Sequence, residues 1–233
     1  MNILAIGAHP DDVEFLCAGT LARYAQRGDH VSIMVATNGN VGSPTLNQEE
    51  IATTRYQEAL ASAEILEAPL IWLGIDDEFL FNTRETRLQF IEGIRKANPD
   101  VIFGHAPSDY HPDHRTAGQM TIDCRIPVTV RLIETASAYL PRVPHVFLMD
   151  TIGGLDFVPE AFVDITDTFA TKAAMLSQHQ SQATWLRHLY GMDYVEFMES
   201  LCRQRGQALG VRYAEAFRSV ATYPITGGSY LLP

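Results

Sequence analysis

Apolar residues along this chain fall in short runs set between stretches of helical periodicity. Ile3–Ile6, Val31–Ala36, Leu70–Leu73 and Val101–Gly104 are too short for helices and largely lack polar alternation. All four read as strands, and Ile3–Ile6, a continuous apolar run, has the pattern of one buried on both faces. Val13 to Gln26, ended by Gly28, reads as a helix that Asp11 or Asp12 can cap. Gln48 to Leu66 carries Ile51, Ala59, Ala63 and Leu66 at helical spacing, and Thr86–Ala97 has two faces before Asn98-Pro99 stops it. Regular alternation of this kind predicts a parallel sheet with right-handed crossovers.

Beyond Pro127 the pattern is less regular. His145–Asp150 and Phe162–Ile165 read as strands, with helices near Thr168–His179 and Tyr194–Gly206. No internal repeat and no convincing linker divides the chain, so residues 1–233 are expected to form a single domain. The predicted fold class is α/β: Rossmann-like, a mostly parallel sheet with helices on both faces and an elaborated C-terminal part. No GxGxxG follows the first strand, which argues against a standard dinucleotide site.

Composition narrows the function classes. With 46% hydrophobic and 19% charged residues, the 233-residue chain can build a sizeable core. No apolar stretch approaches the ~20 residues of a membrane helix. Met1-Asn2 runs straight into the first strand without a basic leader, so a cytoplasmic protein with no membrane partner is expected. A net charge of −11 argues against a nucleic-acid surface, which needs Lys and Arg to neutralise phosphates. Cys17, Cys124 and Cys202 are odd in number and far apart, consistent with a reducing compartment. Cys17, between Leu16 and Ala18, is expected to be a buried helix residue.

Candidate chemistry sits at two strand ends. Ala8-His9-Pro10-Asp11-Asp12 follows the first apolar run, and His111-Pro112-Asp113-His114 follows the fourth. Ligands in α/β sheets bind outside the carboxyl ends of strands. His9 and Asp12 are close enough along a turn to reach one ion, and His114 can supply a third ligand. Three N and O donors with a position left open are the donor set of a catalytic zinc. Asp11 would then lie beside an activated water and can act as general base. His111 can donate to a developing oxyanion, with Asp113 fixing its tautomer or raising its pKa. Each cluster alone has a plainer reading, since an Asp pair after a strand can simply cap a helix and an HxxH can be a surface turn. Their pairing at two strand ends is what points to a metal site.

Gly7-Ala8-His9-Pro10-Asp11-Asp12-Val13-Glu14 together with His111-Pro112-Asp113-His114 strongly resembles the LmbE/PIG-L family of zinc-dependent N-acetylglucosaminyl de-N-acetylases. The resemblance extends over most of the chain. Cys17–Ala22 is similar to the family's first helix, Arg55-Tyr56-Gln57-Glu58-Ala59 to its RxxEA segment, Lys172 through Gln182 to its KxxxxxxHxSQ stretch, and Tyr213–Phe217 to its closing motif. It implies His9, Asp12 and His114 as ligands of one Zn2+ per chain, Asp11 as general base, and His111 supported by Asp113 as oxyanion stabiliser or acid. Glu14 would be an outer support of the site, although alone it reads equally as a first-turn acid favoured by the helix dipole. Arg55 and Asp77 match the residues that hold sugar hydroxyls; a surface salt bridge from Arg55 to Glu58 is the plainer reading of the former. His179 reads more simply as a packed or capping histidine, and Trp185 and Tyr194 as either a sugar-stacking wall or core.

The resemblance implies a hydrolase that releases acetate and a free amine from a small acetylated amino-sugar conjugate. Fe2+ or another divalent ion suits the same ligands. Two other readings stay open: a metal hydrolase of another amide or ester bond, and a noncatalytic sugar-binding domain on the same fold. Family members often form trimers or hexamers, so a homo-oligomer is expected; Val128–Leu132 and Tyr230-Leu231-Leu232 suit either an interface or the core.

Overall fold

The computed structural model describes residues 1–224 and 231–233. Tyr230, one of the expected interface residues, lies outside the described residues. Strands β1 (Asn2–Gly7), β2 (His30–Thr37), β3 (Leu70–Ile75), β4 (Val101–Gly104), β5 (His145–Met149), β6 (Ala161–Asp164) and β7 (Ala214–Ser219) form one sheet in the order β3-β2-β1-β4-β5-β7-β6. The first five are mutually parallel, and β7 runs antiparallel to both β5 and β6. The Rossmann-like, mostly parallel prediction therefore holds, and the elaboration lies in the antiparallel edge.

Alternation along the strands divides the core in two. Ile3, Ala5, Val101 and Phe103 face one cluster, while Leu4, Ile6 and Ile102 face the other. The first cluster is covered by α1 (Asp12–Leu16), α2 (Ala18–Gln26), α3 (Gln48–Glu64), α6 (Phe169–Leu176) and α8 (Tyr194–Leu209). The second is covered by α4 (Arg84–Ala97) and α5 (Pro112–Cys124). Helices on both faces explain why the central strands carry so few polar residues.

Local chemistry sets the element boundaries. Asn47 and Glu50 form a capping box at the start of α3, Thr83 caps α4, and Asn98 ends α4 in a left-handed conformation at φ 46°. The single helix expected from Val13 to Gln26 is two, α1 and α2, broken at Cys17 (φ −145°, ψ 6°). Cys17 is buried, as expected, but at a junction between helices. The break leaves peptide groups without helical partners. Glu215 on β7 accepts from Gly19 N (2.9 Å) and Thr20 N (2.7 Å), and Lys172 on α6 donates to Phe15 O (2.7 Å) and to Glu215 (2.6 Å). A buried ion pair from the C-terminal half thus caps the break and fixes the angle of α1.

The helix expected over Thr168–His179 stops at Leu176, and a further helix, α7 (Gln180–Tyr190), follows. Glu58 on α3 accepts from Ser181 N (2.8 Å) and Ser181 Oγ (2.6 Å), which fastens the start of α7. Among the described residues no helix is long and apolar enough to cross a membrane.

Candidate metal centre and active site

The chain runs outward from β1 through β2 to β3, then returns to place β4 on the other side of β1. Ligand crevices in open α/β sheets form at such a reversal of strand order. The turn His9–Asp12 leaves β1, and the segment His105–His114 leaves β4, so the two clusters separated by about a hundred residues meet there. Asp11 is held at φ 107°, a conformation L-residues adopt only when their surroundings impose it. Its side chain caps no helix and lines the cavity instead. Pro112 starts α5, where its missing N–H costs nothing, and this launches His114 inward from the first turn.

His9, Asp12 and His114 converge. His9 Nδ1 lies 3.1 Å from His114 Nε2, Asp12 Oδ1 is 3.2 Å from His114 Nε2, and Asp12 Oδ2 is 3.4 Å from His9 Nδ1. Outer groups set the imidazole tautomers. His9 Nε2 faces Asp77 Oδ1 at 3.0 Å and Asp113 Oδ2 at 3.4 Å, so its proton belongs on that nitrogen. His114 Nδ1 faces Asp109 Oδ1 at 3.2 Å, an ion-pair contact too misaligned for a well-formed hydrogen bond. The two remaining nitrogens then turn lone pairs toward each other, beside a carboxylate. Such a cluster is stable only around a cation, whether proton or metal. The metal-free chain holds protons there: burial would lower the pKa of His114, but Asp12 and Asp109 outweigh it and raise it to about 9. His9 is likewise raised, its burial outweighed by Asp113, Asp12 and Asp77. The donor set fits a divalent ion. Overlapping trios (His9, His111 and His114; Asp12, His105 and His114; His9, Asp77 and Asp113) extend the same cluster.

Asp11 stands beside this cluster. Burial pushes its pKa up to about 6, opposed chiefly by Arg55, whose Nη2 is 3.6 Å from Asp11 Oδ1. Tyr194 lines the same cavity, and its pKa is raised by burial and by the Asp11 and Asp12 charges. Arg55 is buried, not on the surface. Its Nη2 donates to Pro10 O (2.7 Å) and its Nη1 lies 3.7 Å from Asp77 Oδ2, while Glu58 is engaged by Ser181. The plain reading of an Arg55–Glu58 surface bridge is therefore set aside. Glu14 is buried, accepts from Ser62 Oγ (2.6 Å) and faces His179 Nε2 at 3.4 Å. Burial opposes its ionisation, but His179 and Ser62 hold its pKa below the usual value.

Asp113 requires correction. Its carboxylate turns to His9 and accepts from Glu78 N (2.9 Å), while only its backbone N–H meets His111 Nδ1, at 3.3 Å. The Asp113 carboxylate is committed instead to His9 and to the Glu78 peptide group. The charged partner of His111 is Glu78, 3.2 Å from Nε2, a residue sequence reasoning passed over. Burial is the largest influence on His111 and lowers its pKa. His105 and Asp109 were also missed as site residues. His105 Nε2 sits 3.1 Å from both Ala8 N and Asp12 Oδ2, and Asp109 accepts from His111 N at 2.9 Å. Their signal was position, since both lie between the fourth strand and the HPDH cluster.

The site opens into a cavity of about 640 Å³. His9, Asp11, Asp12, Arg55, Asp77, His111 and His114 form its floor, and Trp185 and Tyr194 contribute to its wall.

Comparison with known proteins agrees with this geometry. The family model for PIG-L, GlcNAc-PI de-N-acetylase, matches residues 4–125. The chain is 30% identical over 241 residues to the diacetylchitobiose deacetylase of Thermococcus kodakarensis, covering 94% of this chain and 83% of that protein. It is 24% identical over 244 residues to the 4-oxalmesaconate hydratase of Pseudomonas putida, covering 94% and 89% respectively. The solved N,N'-diacetylchitobiose deacetylase of Pyrococcus horikoshii superposes with a TM-score of 0.83 at 27% identity, covering 99% of this chain and 88% of that one. With the paired strand-end clusters in place, this chain belongs to the LmbE/PIG-L family.

Proposed function

We propose that this single-domain chain is a metal-dependent hydrolase that removes the N-acetyl group from an N-acetylglucosaminyl conjugate. The observation that carries this reading is the buried convergence of His9, Asp12 and His114, with a separate carboxylate, Asp11, left beside it. His9, Asp12 and His114 hold the ion, Zn2+ in this reading. When bound, such an ion polarises the amide carbonyl and lowers the pKa of a water from 15.7 to about 7.

The chain's own groups do the rest. Asp11, ionised above pH about 6, takes the proton of the attacking water as the C–O bond forms. His111, half-buried at the cavity floor, donates to the developing oxyanion. The C–N bond then breaks, and the proton that Asp11 took from the water passes to the leaving nitrogen. Water and amide are thereby converted to acetate and a free amine. Arg55 pairs with both Asp11 and Asp77 and opposes the rise that burial gives Asp11, and Asp77 offers a sugar hydroxyl an acceptor. Asp113 fixes His9, and Glu14 with His179 supports α1 from below.

The same reading places the protein in the cytoplasm, in keeping with three free, buried cysteines, and as a homo-oligomer, to which Leu132 (77% exposed) offers an apolar contact. The test is acetate release from N-acetylglucosamine and its glycosides, followed with an enzyme-coupled acetate assay and amine detection. Equal amounts of acetate and amine are expected. No acetate, with water instead added to an unsaturated carboxylate, would replace this reading with a hydratase.

A further inference from the structure

The cavity is too large and too apolar on one side for a single acetamido sugar. Its floor is polar, but the opposite wall is built from Ile152 and Leu155 after β5, Trp185, Leu186 and Tyr190 on α7, and Phe197 on α8. Leu155 and Tyr190 are 65% and 69% exposed and share this wall with Trp185 and Leu186, so their apolar surface is grouped at the mouth of the site. Charge is also one-sided. Among the described lining residues Arg55 is the only Lys or Arg, and its guanidinium is engaged by Pro10 O, Asp11 and Asp77. Asp77 and the half-exposed Glu78 face the same space. Away from the metal-binding floor, a phosphate or carboxylate on the second part of the substrate would meet these acids with no Lys or Arg other than Arg55 among the described lining residues to pair with.

We infer that the substrate is an N-acetylglucosaminyl conjugate whose second part is uncharged and apolar, an alkyl or aryl aglycone seated against the α7–α8 wall. This rests on the deacetylase reading and specifies its substrate class. The acetamido group lies over the metal-binding floor, and the aglycone covers Leu155, Trp185 and Tyr190. Burying even part of a ring or chain there raises binding by about tenfold or more.

The experiment compares four probes with the metal-loaded protein: N-acetylglucosamine, its hexyl and phenyl glycosides, and a glycoside ending in a carboxylate. The hexyl and phenyl glycosides should exceed the free sugar in kcat/KM by about tenfold or more, and the carboxylate probe should fall below both. Calorimetry on the matching deacetylated amines should show the same order of affinity. Leu155→Ser and Tyr190→Ser, both at exposed positions, should narrow the ratio between phenyl glycoside and free sugar. Acetate from every probe at similar kcat/KM, or fastest from the carboxylate probe, overturns the inference but leaves the deacetylase reading standing. No acetate from any probe removes both.

Discussion

Replacing Gly118 by Ala tests whether the spacing between α5 and the end of β4 sets the metal site. Gly118 lies on α5 one turn beyond His114, and α5 passes against the backbone of His105. A Cβ at this position would stand 2.9 Å from the His105 carbonyl carbon, closer still to its oxygen, and 3.3 Å from the Ala106 carbonyl carbon. Carbon atoms need roughly 3.5 Å, so helix and strand end must separate by at least roughly 0.6 Å. The obstruction is backbone and cannot rotate aside. Alanine in a helix is worth about 1 kcal/mol over glycine, whereas overpacking costs about 1–3 kcal/mol, so the net loss is about 1 kcal/mol. In a protein of this size that lowers Tm by roughly 2–4 °C. The functional effect should be larger. Metal–ligand distances tolerate only about 0.2 Å, and His114 rides on the displaced helix. Zinc affinity, measured by competition with a chromogenic chelator, should weaken by about tenfold or more. Unchanged affinity together with unchanged or raised Tm would refute the claim that this contact positions His114.

Asp11→Asn should keep its metal and release acetate about a hundredfold more slowly or worse, because it removes the base and leaves the ligands. In the parent, activity should fall as pH drops, since the base must be ionised. Burial sets Asp11 at about 6 and a bound cation can only lower it, so an acid limb centred above pH 7 would contradict the assignment. Metal binding should expel protons at pH 7, because His9 and His114 are raised, His114 to about 9, and a cation binds only the neutral rings. Calorimetry in buffers of differing ionisation enthalpy reads this release, with affinity expected to rise between pH 6 and 9. Lys172→Met should strand Glu215 and cost about 3–5 kcal/mol in urea unfolding. Burial opposes the charge on Lys172, but Glu215 raises its pKa, so its contribution is complete at neutral pH and is lost only above the ordinary lysine range.

The parts of the molecule governed by local pattern were legible before the structure. Strands buried on both faces announce themselves as apolar runs, and His9, Asp12 and His114 could be assembled because both motifs follow such runs. What escaped depends on contacts distant in sequence. The break at Cys17 has only Gly19, two residues on, as a local signal, and it is stabilised by Lys172 and Glu215 about 150–200 residues later. The burial of Arg55 depends on the turn at Pro10, and the partner of Ser181 is Glu58 across the fold. The role of Asp113 was misdirected for a related reason. Proximity in sequence suggested His111, while the packing of β1 against β4 presents His9. β7 was hidden because Tyr213–Phe217 reads as a short motif and its antiparallel pairing is settled only by its neighbours β5 and β6.

The central claim, one ion held by His9, Asp12 and His114, is tested most directly by metal content per chain. Elemental analysis of protein purified without chelator or affinity nickel should find close to one divalent ion in the parent and in Asp11→Asn. Folded Asp12→Ala and His114→Ala chains should hold little or none. A parent that retains no ion even after addition of Zn2+ or Fe2+, or ligand variants that bind as well as the parent, would contradict the account.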